Sequence, residues 1–216
     1  MFNNANFNNL QCLIRAKSLA AQWRIRTRMS VDTFLQGYSF IPDKCSRFIR
    51  WEPPPPDRVK LNFDGSLQRG MAAGGYVLRD WKGEVLMVGA TSYGRTSIIM
   101  AEGRALRDGL QAVISGGYRK LEIEGDNMLI IQVIQDRAQI PWQLRNIILE
   151  IKGLLNQCFQ VMIRHIYREA NMAADWLSKY GHSAPFNLLL AECDALEFRT
   201  IIQEDWAGRT LVRRGA

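Results

Sequence analysis

The stretch that decides the fold is Val59-Lys60-Leu61-Asn62-Phe63-Asp64-Gly65-Ser66. Apolar and polar side chains alternate over its first six residues, which predicts a β-strand with one apolar and one polar face. Asp64 ends this alternation and is followed at once by Gly65, so its carboxylate lies beside backbone with little side chain in the way. A buried, unpaired carboxylate is costly, and a bound cation offsets that cost. An edge-strand acid that faces water is the alternative, and the octapeptide alone does not exclude it.

The segments that follow predict one mixed α/β sheet. Two strands, at 75–80 and 84–93, are joined by short turns and form an antiparallel meander with the first strand. Helical crossovers then lead to a fourth strand at 118–124 and a fifth at 159–166, and such crossovers make the first, fourth and fifth strands parallel. The predicted fold class is therefore α/β, a five-stranded mixed sheet in the order β-β-β-α-β-α-α-β-α, with helices on both faces.

Start and stop signals place the helices of this domain between and after the strands. Their predicted ranges are 97–115 with Ser97 as cap, 126–137 opened by Asp126, 141–156 started by Pro141, and 169–180. Apolar periodicity indicates two more helices, at 10–24 and at 186–198.

Charge and proline content divide the chain. Residues 1–50 hold eight Lys/Arg and two Asp/Glu, a surplus of +6 out of a net charge of +7. A basic segment favours a polyanion such as nucleic acid as partner, although a solvated basic helix face explains it equally well. Residues 51–57 include four consecutive prolines and predict a stiff linker. We therefore expect a basic, partly helical extension at 1–50, the linker at 51–57, a folded domain at 58–183 and a tail at 184–216.

Other classes of protein are not indicated. No stretch approaches the roughly 20 apolar residues of a membrane span. The Asn-rich segment 1–9 lacks the layout of a signal peptide, so an intracellular location, in nucleus or cytoplasm, is expected. The four cysteines are scattered, without a C-x-x-C pair, and predict free thiols.

Three further acids have a route to Asp64. Asp126 stands at the carboxyl end of the fourth strand, where open α/β sheets bind ligands. Glu102 lies on the apolar stripe of the first helix, and Asp175 lies on the last helix, whose alanines allow close packing. Each has an ordinary explanation: a helix cap for Asp126, pairing with a nearby arginine for Glu102, and solvent exposure for Asp175. Four acids that converge on one sheet edge, however, repel one another unless divalent cations are present. A two-metal phosphodiester hydrolase is the leading arrangement of this kind.

Residues 51–181 resemble the type-1 ribonuclease H family, above all the plant branch found in non-LTR retroelement reverse transcriptases. The motifs that carry the resemblance are Trp51-Glu-Pro-Pro, Leu61-Asn-Phe-Asp-Gly-Ser, Gly74-Gly-Tyr-Val-Leu-Arg-Asp, Ala101-Glu, Glu124-Gly-Asp-Asn and His165-x-x-Arg-Glu-Ala-Asn-Met-Ala-Ala-Asp. The family orders its acids Asp, Glu, Asp, Asp, as this chain does, whereas integrase and transposase relatives typically end with Glu.

The resemblance implies a ribonuclease H-like fold and a metal-dependent endonuclease that hydrolyses the RNA strand of RNA–DNA hybrids with two Mg²⁺ ions, or Mn²⁺ in their place. It implies that Asp64 bridges the ions, that Glu102 and Asp126 complete one, and that Asp175 completes the other. His165, ten residues before Asp175, would assist proton transfer or product release. The implied substrate contacts are Ser66, Asn127 and Asn171. The resemblance also implies a nucleic-acid partner and an origin in a larger retroelement polypeptide.

Gly103 departs from the family, which usually has Leu at this position. Glycine within a helix costs roughly 1 kcal/mol relative to Ala and leaves space in a core. We therefore expect a loosened helix beside Glu102. The alternative function is a catalytically weak or inactive nucleic-acid-binding module on the same fold.

Overall fold

The computed structural model describes residues 47–183, 188–190 and 195–213. These residues belong to one compact unit, 46–216. The helix predicted at 10–24, like the rest of the basic extension before residue 47, lies outside the described residues.

Eight strands and five α-helices make up this part of the chain. The strands are β1 (Arg47–Ile49), β2 (Val59–Gln68), β3 (Met71–Arg79), β4 (Val85–Gly94), β5 (Lys120–Gly125), β6 (Gln160–His165), β7 (Leu188–Leu190) and β8 (Leu211–Arg213). The helices are α1 (Ile98–Ser115), α2 (Met128–Ile134), α3 (Arg145–Leu155), α4 (Met172–Tyr180) and α5 (Leu196–Trp206). Short 3₁₀ helices precede α3 (Trp142–Leu144) and α4 (Arg168–Ala170). None of these helices combines the length and the apolar character that a membrane crossing needs.

The main sheet has the order β6-β5-β2-β3-β4-β7. Strands β2, β3 and β4 form the antiparallel meander, while β2, β5 and β6 run parallel. The predicted five-stranded mixed sheet is thereby confirmed, with β2 in its interior. Strands β1 and β8 pair separately, in a small antiparallel sheet.

The helix predicted at 186–198 is wrong over 188–190. These three leucines form β7, which adds a sixth strand antiparallel to β4, and the helix α5 begins only at Leu196. A short apolar run cannot be assigned to helix or strand by periodicity alone, and here pairing with the open edge of β4 decides for the strand.

The strand predicted at 75–80 begins four residues earlier than expected, at Met71. The chain reverses at Arg69 and Gly70, which both have positive φ, and β3 begins at Met71. Gly75 lies inside the strand, and the backbone of α4 packs on it: a Cβ there would stand 2.4 Å from the Ser178 nitrogen. Gly75 thus allows α4 to pack closely on β3.

Apolar side chains fill both faces of the sheet. On one face, Leu61 and Phe63 of β2 are fully buried in a cluster with α1, α2 and α3. On the other, Val77 of β3 packs with Leu177 of α4 and Phe198 of α5. Helices on both faces are therefore confirmed.

The first residue of the proline-rich segment, Trp51, packs closely against the sheet. Trp51 is 4% exposed, its Nε1 donates to Asn62 Oδ1 at 3.0 Å, and the Arg79 guanidinium lies 3.6 Å from the centroid of its ring. Beside it, the buried Lys60 Nζ lies 2.9 Å from Glu124 Oε1. Trp51 thus fixes the start of the linker to buried polar side chains of β2 and β3, while most of residues 52–57 are exposed. The predicted limits of the folded domain, residues 58–183, stay a prediction.

Candidate active site

Three carboxylates from three elements meet at one end of the sheet. Asp64 on β2, Glu102 on α1 and Asp126 after β5 each offer an oxygen, and these oxygens lie within 4.8 Å of one another. Asp64 and Glu102 are each 5% exposed, and Asp126 is half-buried. The sheet register explains the meeting: Asn62 of β2 pairs with Glu124 of β5, and each acid follows that pair by two residues.

Asp126 is not the cap of α2. Asn127 caps this helix instead, since its Oδ1 accepts from the Ile130 nitrogen at 3.3 Å. The interpretation of Asp126 as a helix cap is therefore wrong, and its carboxylate belongs to the acidic group.

Glu102 reaches the group because α1 lies directly on β2. A Cβ at Gly65 would stand 2.5 Å from the Glu102 nitrogen, so only glycine permits this approach. Glu102 Oε1 accepts from Asn127 Nδ2 at 3.4 Å, whereas Oε2 is buried without a hydrogen-bond partner among the described residues. Pairing with Arg104 is not observed, since that side chain donates to the Tyr93 carbonyl.

Asp175 borders the same cavity, of about 520 Å³, from α4. Its carboxylate is 5% exposed, so the expected solvent exposure is not found, and it pairs with Arg168 and with Lys179 Nζ at 2.5 Å. It lies outside the three-acid group but is linked to it through Ser178, whose hydroxyl donates to Asp64 Oδ2 at 2.6 Å and lies 2.9 Å from the Asp175 carbonyl.

Burial and mutual repulsion make the group unfavourable as bare charges. Burial, the Asp126 charge and the Asp175 charge raise the pKa of Asp64 to about 8. Burial, followed by the charges of Asp64 and Asp126, raises the pKa of Glu102 well above its usual range. The pKa of Arg168 is raised chiefly by Asp175. Such perturbed carboxylates in a cavity are typical of a functional site.

The stability of the metal-free protein is expected to depend on pH through Asp64. Since its folded-state pKa lies above the unfolded value, its contribution to stability is fully present below about pH 4 and is lost as pH rises to about 8. The slope from one such group is at most about 1.4 kcal/mol per pH unit. Denaturant unfolding in EDTA at pH 5, 6, 7 and 8 measures it. Asp64→Asn lacks this titration, so its free energy of unfolding relative to that of the wild type should increase as pH rises. A difference between the two proteins that stays constant with pH would contradict the assignment.

The other predicted site residues lie around the cavity in different ways. His165 Nε2 lies 3.0 Å from the Asp126 carbonyl, to which it donates, and His165 lines a neighbouring cavity. Ser66 lines the acidic cavity, and its hydroxyl donates to the Ser178 carbonyl at 2.7 Å. Asn171 is fully buried and ties α4 to β2 through the Phe63 carbonyl at 2.9 Å, which leaves it no surface towards substrate.

Four polar residues at the site were missed in the sequence. They are Arg168, Ser178, Lys179 and His182, whose Nε2 lies 2.9 Å from the Ser66 hydroxyl. Two of them carried a signal: Arg168 stands in the motif that begins at His165, and Lys179 follows Asp175 by four residues on a helix.

The loosened helix expected at Gly103 is not found. α1 runs unbroken from Ile98 to Ser115, and the space beside Gly103 is filled by Leu144 and Ile147, each with a methyl 3.2 Å from the position of a Cβ. The glycine lets the segment before and within α3 pack closely on α1.

Gly103→Leu is therefore expected to destabilise the protein, although Leu is usual at this position in the family. The larger side chain would overpack the contact with Leu144 and Ile147 at a cost of roughly 1 to 3 kcal/mol. This cost is reduced by the roughly 1 kcal/mol gained when a glycine inside a helix is replaced. Chemical denaturation of the two proteins side by side measures the difference. A variant as stable as the wild type would show that this contact is not tight.

The fold and the acidic cavity define a ribonuclease H-like α/β protein. The crystal structure of RNase H1 from Halobacterium salinarum superimposes with a TM-score of 0.56 at 28% identity, over 58% of this chain and 98% of that one. LC11-RNase H1, solved in complex with an RNA/DNA hybrid, gives a TM-score of 0.54 at 24% identity, over 57% and 95% of the chains, which shows the fold alone.

Sequence comparison identifies the family. The model of the reverse transcriptase-like family matches residues 62–181, more than half of the chain, and the chain belongs to this family. A "Putative ribonuclease H protein" of Arabidopsis thaliana is 28% identical over 95% of this chain, which spans 33% of that protein. Ribonuclease HI of Halobacterium salinarum is 29% identical over 59% of this chain and 65% of its own length.

Proposed function

We propose that the chain is a metal-dependent endonuclease that hydrolyses the RNA strand of RNA–DNA hybrids. The observation that carries this proposal is the group formed by Asp64, Glu102 and Asp126, whose oxygens lie within 4.8 Å of one another. Family membership and the ribonuclease H fold support it. The hybrid in the LC11 complex supplies the substrate class by analogy.

The residues present fit hard divalent cations. Glu102 Oε2 is a buried acceptor without a hydrogen-bond partner among the described residues, and the raised pKa values of Asp64 and Glu102 reflect charge that nearby cations would offset. An all-oxygen donor set suits Mg²⁺, with Mn²⁺ as the alternative. We propose that Asp64, Glu102 and Asp126, together with Asp175 at the wall of the same cavity, would hold two such ions. When bound, such ions activate a water and stabilise the leaving 3′-oxygen.

The chain's own side chains position the reacting groups. Ser178 holds the Asp64 carboxylate, and Arg168 and Lys179 hold Asp175 at the cavity wall while presenting positive charge to a phosphate. His165 donates from Nε2 to the turn that carries Asp126, so Nδ1 is the atom left to take or release a proton. Glu102 would approach the 2′-hydroxyl, the group that distinguishes RNA from DNA.

A panel of substrates tests the proposal. RNA–DNA hybrid, duplex RNA, duplex DNA and single-stranded RNA of one sequence are incubated with the full chain in Mg²⁺ and in EDTA. We expect cleavage of the hybrid alone, in its RNA strand and only with metal. Equal cleavage of all four would contradict the assignment. Salt-sensitive hybrid binding without cleavage would favour the inactive binding module.

We further propose that the chain is part of, or derived from, a larger plant retroelement polypeptide that acts in the nucleus or cytoplasm. The match to one third of the Arabidopsis relative supports this origin.

A further inference from the structure

A second cavity, of about 540 Å³, lies on the side of His165. His165 lines it and also donates to the carbonyl of Asp126, a residue of the acidic cavity, so one side chain connects the two. The remaining wall comes from the segment around β1, from the connection between β6 and α4, and from Thr210 before β8. A strand held at the acids therefore has a neighbouring space to enter.

The lining suits a nucleotide. Phe48 is 71% exposed at the rim, and the rings of His165 and Tyr167 meet edge to face with centroids 5.9 Å apart. Arg50 adds a positively charged guanidinium. Its ion pair with Glu52, at 3.3 Å, is weak because both side chains are exposed to solvent. Aromatic faces on which bases stack, beside a cation that follows the backbone, are the usual means of holding single-stranded nucleic acid.

We propose that this cavity is a subsite for a single-stranded nucleotide that continues from the hybrid in the acidic cavity. The base stacks on Phe48 and the phosphate faces Arg50. This inference rests on the proposed function and deepens it. Phe48, Arg50 and Thr210 lie outside residues 62–181, the range that the family model matches, whereas His165 and Tyr167 lie within it. In sequence, Arg50 also ends the basic stretch 1–50.

Binding of extended hybrids to the full chain in EDTA tests the subsite. The probes are a fluorescent blunt hybrid, the same hybrid with a single-stranded RNA extension at either end, and the extension alone. Stacking of a base on one aromatic side chain contributes strongly to the binding free energy. The wild type should therefore bind the hybrid with an extension at one of its ends about tenfold more tightly than the blunt hybrid. Phe48→Ala should remove this gain. Phe159→Ala is the matched control, because Phe159 is 81% exposed but lies beside the opposite end of β6 from His165.

Arg50→Ala adds a second readout. The slope of log affinity against log salt concentration should decrease for the extended hybrid by the equivalent of about one phosphate contact. The slope for the blunt hybrid should stay unchanged. Equal affinity of the wild type for blunt and extended hybrids, or an equal loss in Phe159→Ala, would overturn the subsite. Failure of the proposed function is distinguishable, because it appears as absent cleavage of the blunt hybrid in Mg²⁺. Binding of the extension alone that depends on Phe48 would still support the subsite in that case.

Discussion

Asp64→Asn is expected to abolish hybrid cleavage while making the metal-free protein more stable at pH 8. Asp64 is buried near the charges of Asp126 and Asp175, and it is a proposed metal ligand. Loss of a metal-held transition state removes several kcal/mol, so the rate should fall at least about a thousandfold. The uncharged amide removes the repulsion, and the free energy of unfolding in EDTA should therefore rise.

The measurement pairs single-turnover cleavage with denaturant unfolding. Asp136→Asn is the control, because Asp136 is a largely exposed acid on the surface, paired with Lys152. Its positive φ of 57° also suits Asn. It should change neither quantity. Loss of cleavage together with loss of stability in Asp64→Asn would mean that the residue acts on the fold rather than on the chemistry.

Gly65→Ala is expected to have the largest effect on stability. The new Cβ would stand 2.5 Å from the nitrogen of Glu102 and 2.9 Å from the carbonyl carbon of Ala101, and both atoms are backbone, so α1 must move off β2. We expect a loss of at least about 3 kcal/mol in the free energy of unfolding. Cleavage by the folded fraction should fall as well, because Glu102 moves with the helix.

Gly153→Ala is the matched control for this prediction. Gly153 lies in α3 with nothing within 4 Å of a new Cβ, so the change should stabilise the protein by about 0.5 to 1 kcal/mol. Thermal or chemical unfolding of both variants measures the two effects separately, the steric crowding in Gly65→Ala and the helix propensity in Gly153→Ala. If Gly65→Ala were as stable as the wild type, the close contact between α1 and β2 would be refuted.

The sheet and the meeting of the acids were predictable because both follow from chain order. Strands joined by helical crossovers are parallel, and this alone brings Asp64 and Asp126 to neighbouring strand ends. Long periodic elements such as α1 carry their own signal, so Glu102 was correctly placed on a helix face turned towards the sheet.

Features that depend on tertiary packing were not predictable. The three leucines of β7 are a strand only because β4 offers an open edge. Strand β3 begins at Met71, before the predicted start at residue 75, and the close approach of the α4 backbone to Gly75 has no signal in the sequence. The ion pair between Arg168, in the preceding 3₁₀ helix, and Asp175 was not predictable from their spacing of seven residues. That spacing brings the two side chains together only because of the turn between the two helices.

The most direct test of the central claim is single-turnover cleavage of a hybrid labelled on both strands, by the full chain, in Mg²⁺ and in EDTA. The proposed site predicts that Mg²⁺ brings about cleavage of the RNA strand, that the DNA strand stays intact, and that EDTA stops the reaction. Cleavage in EDTA at the same rate, or an intact RNA strand in Mg²⁺ with hybrid demonstrably bound, would contradict it.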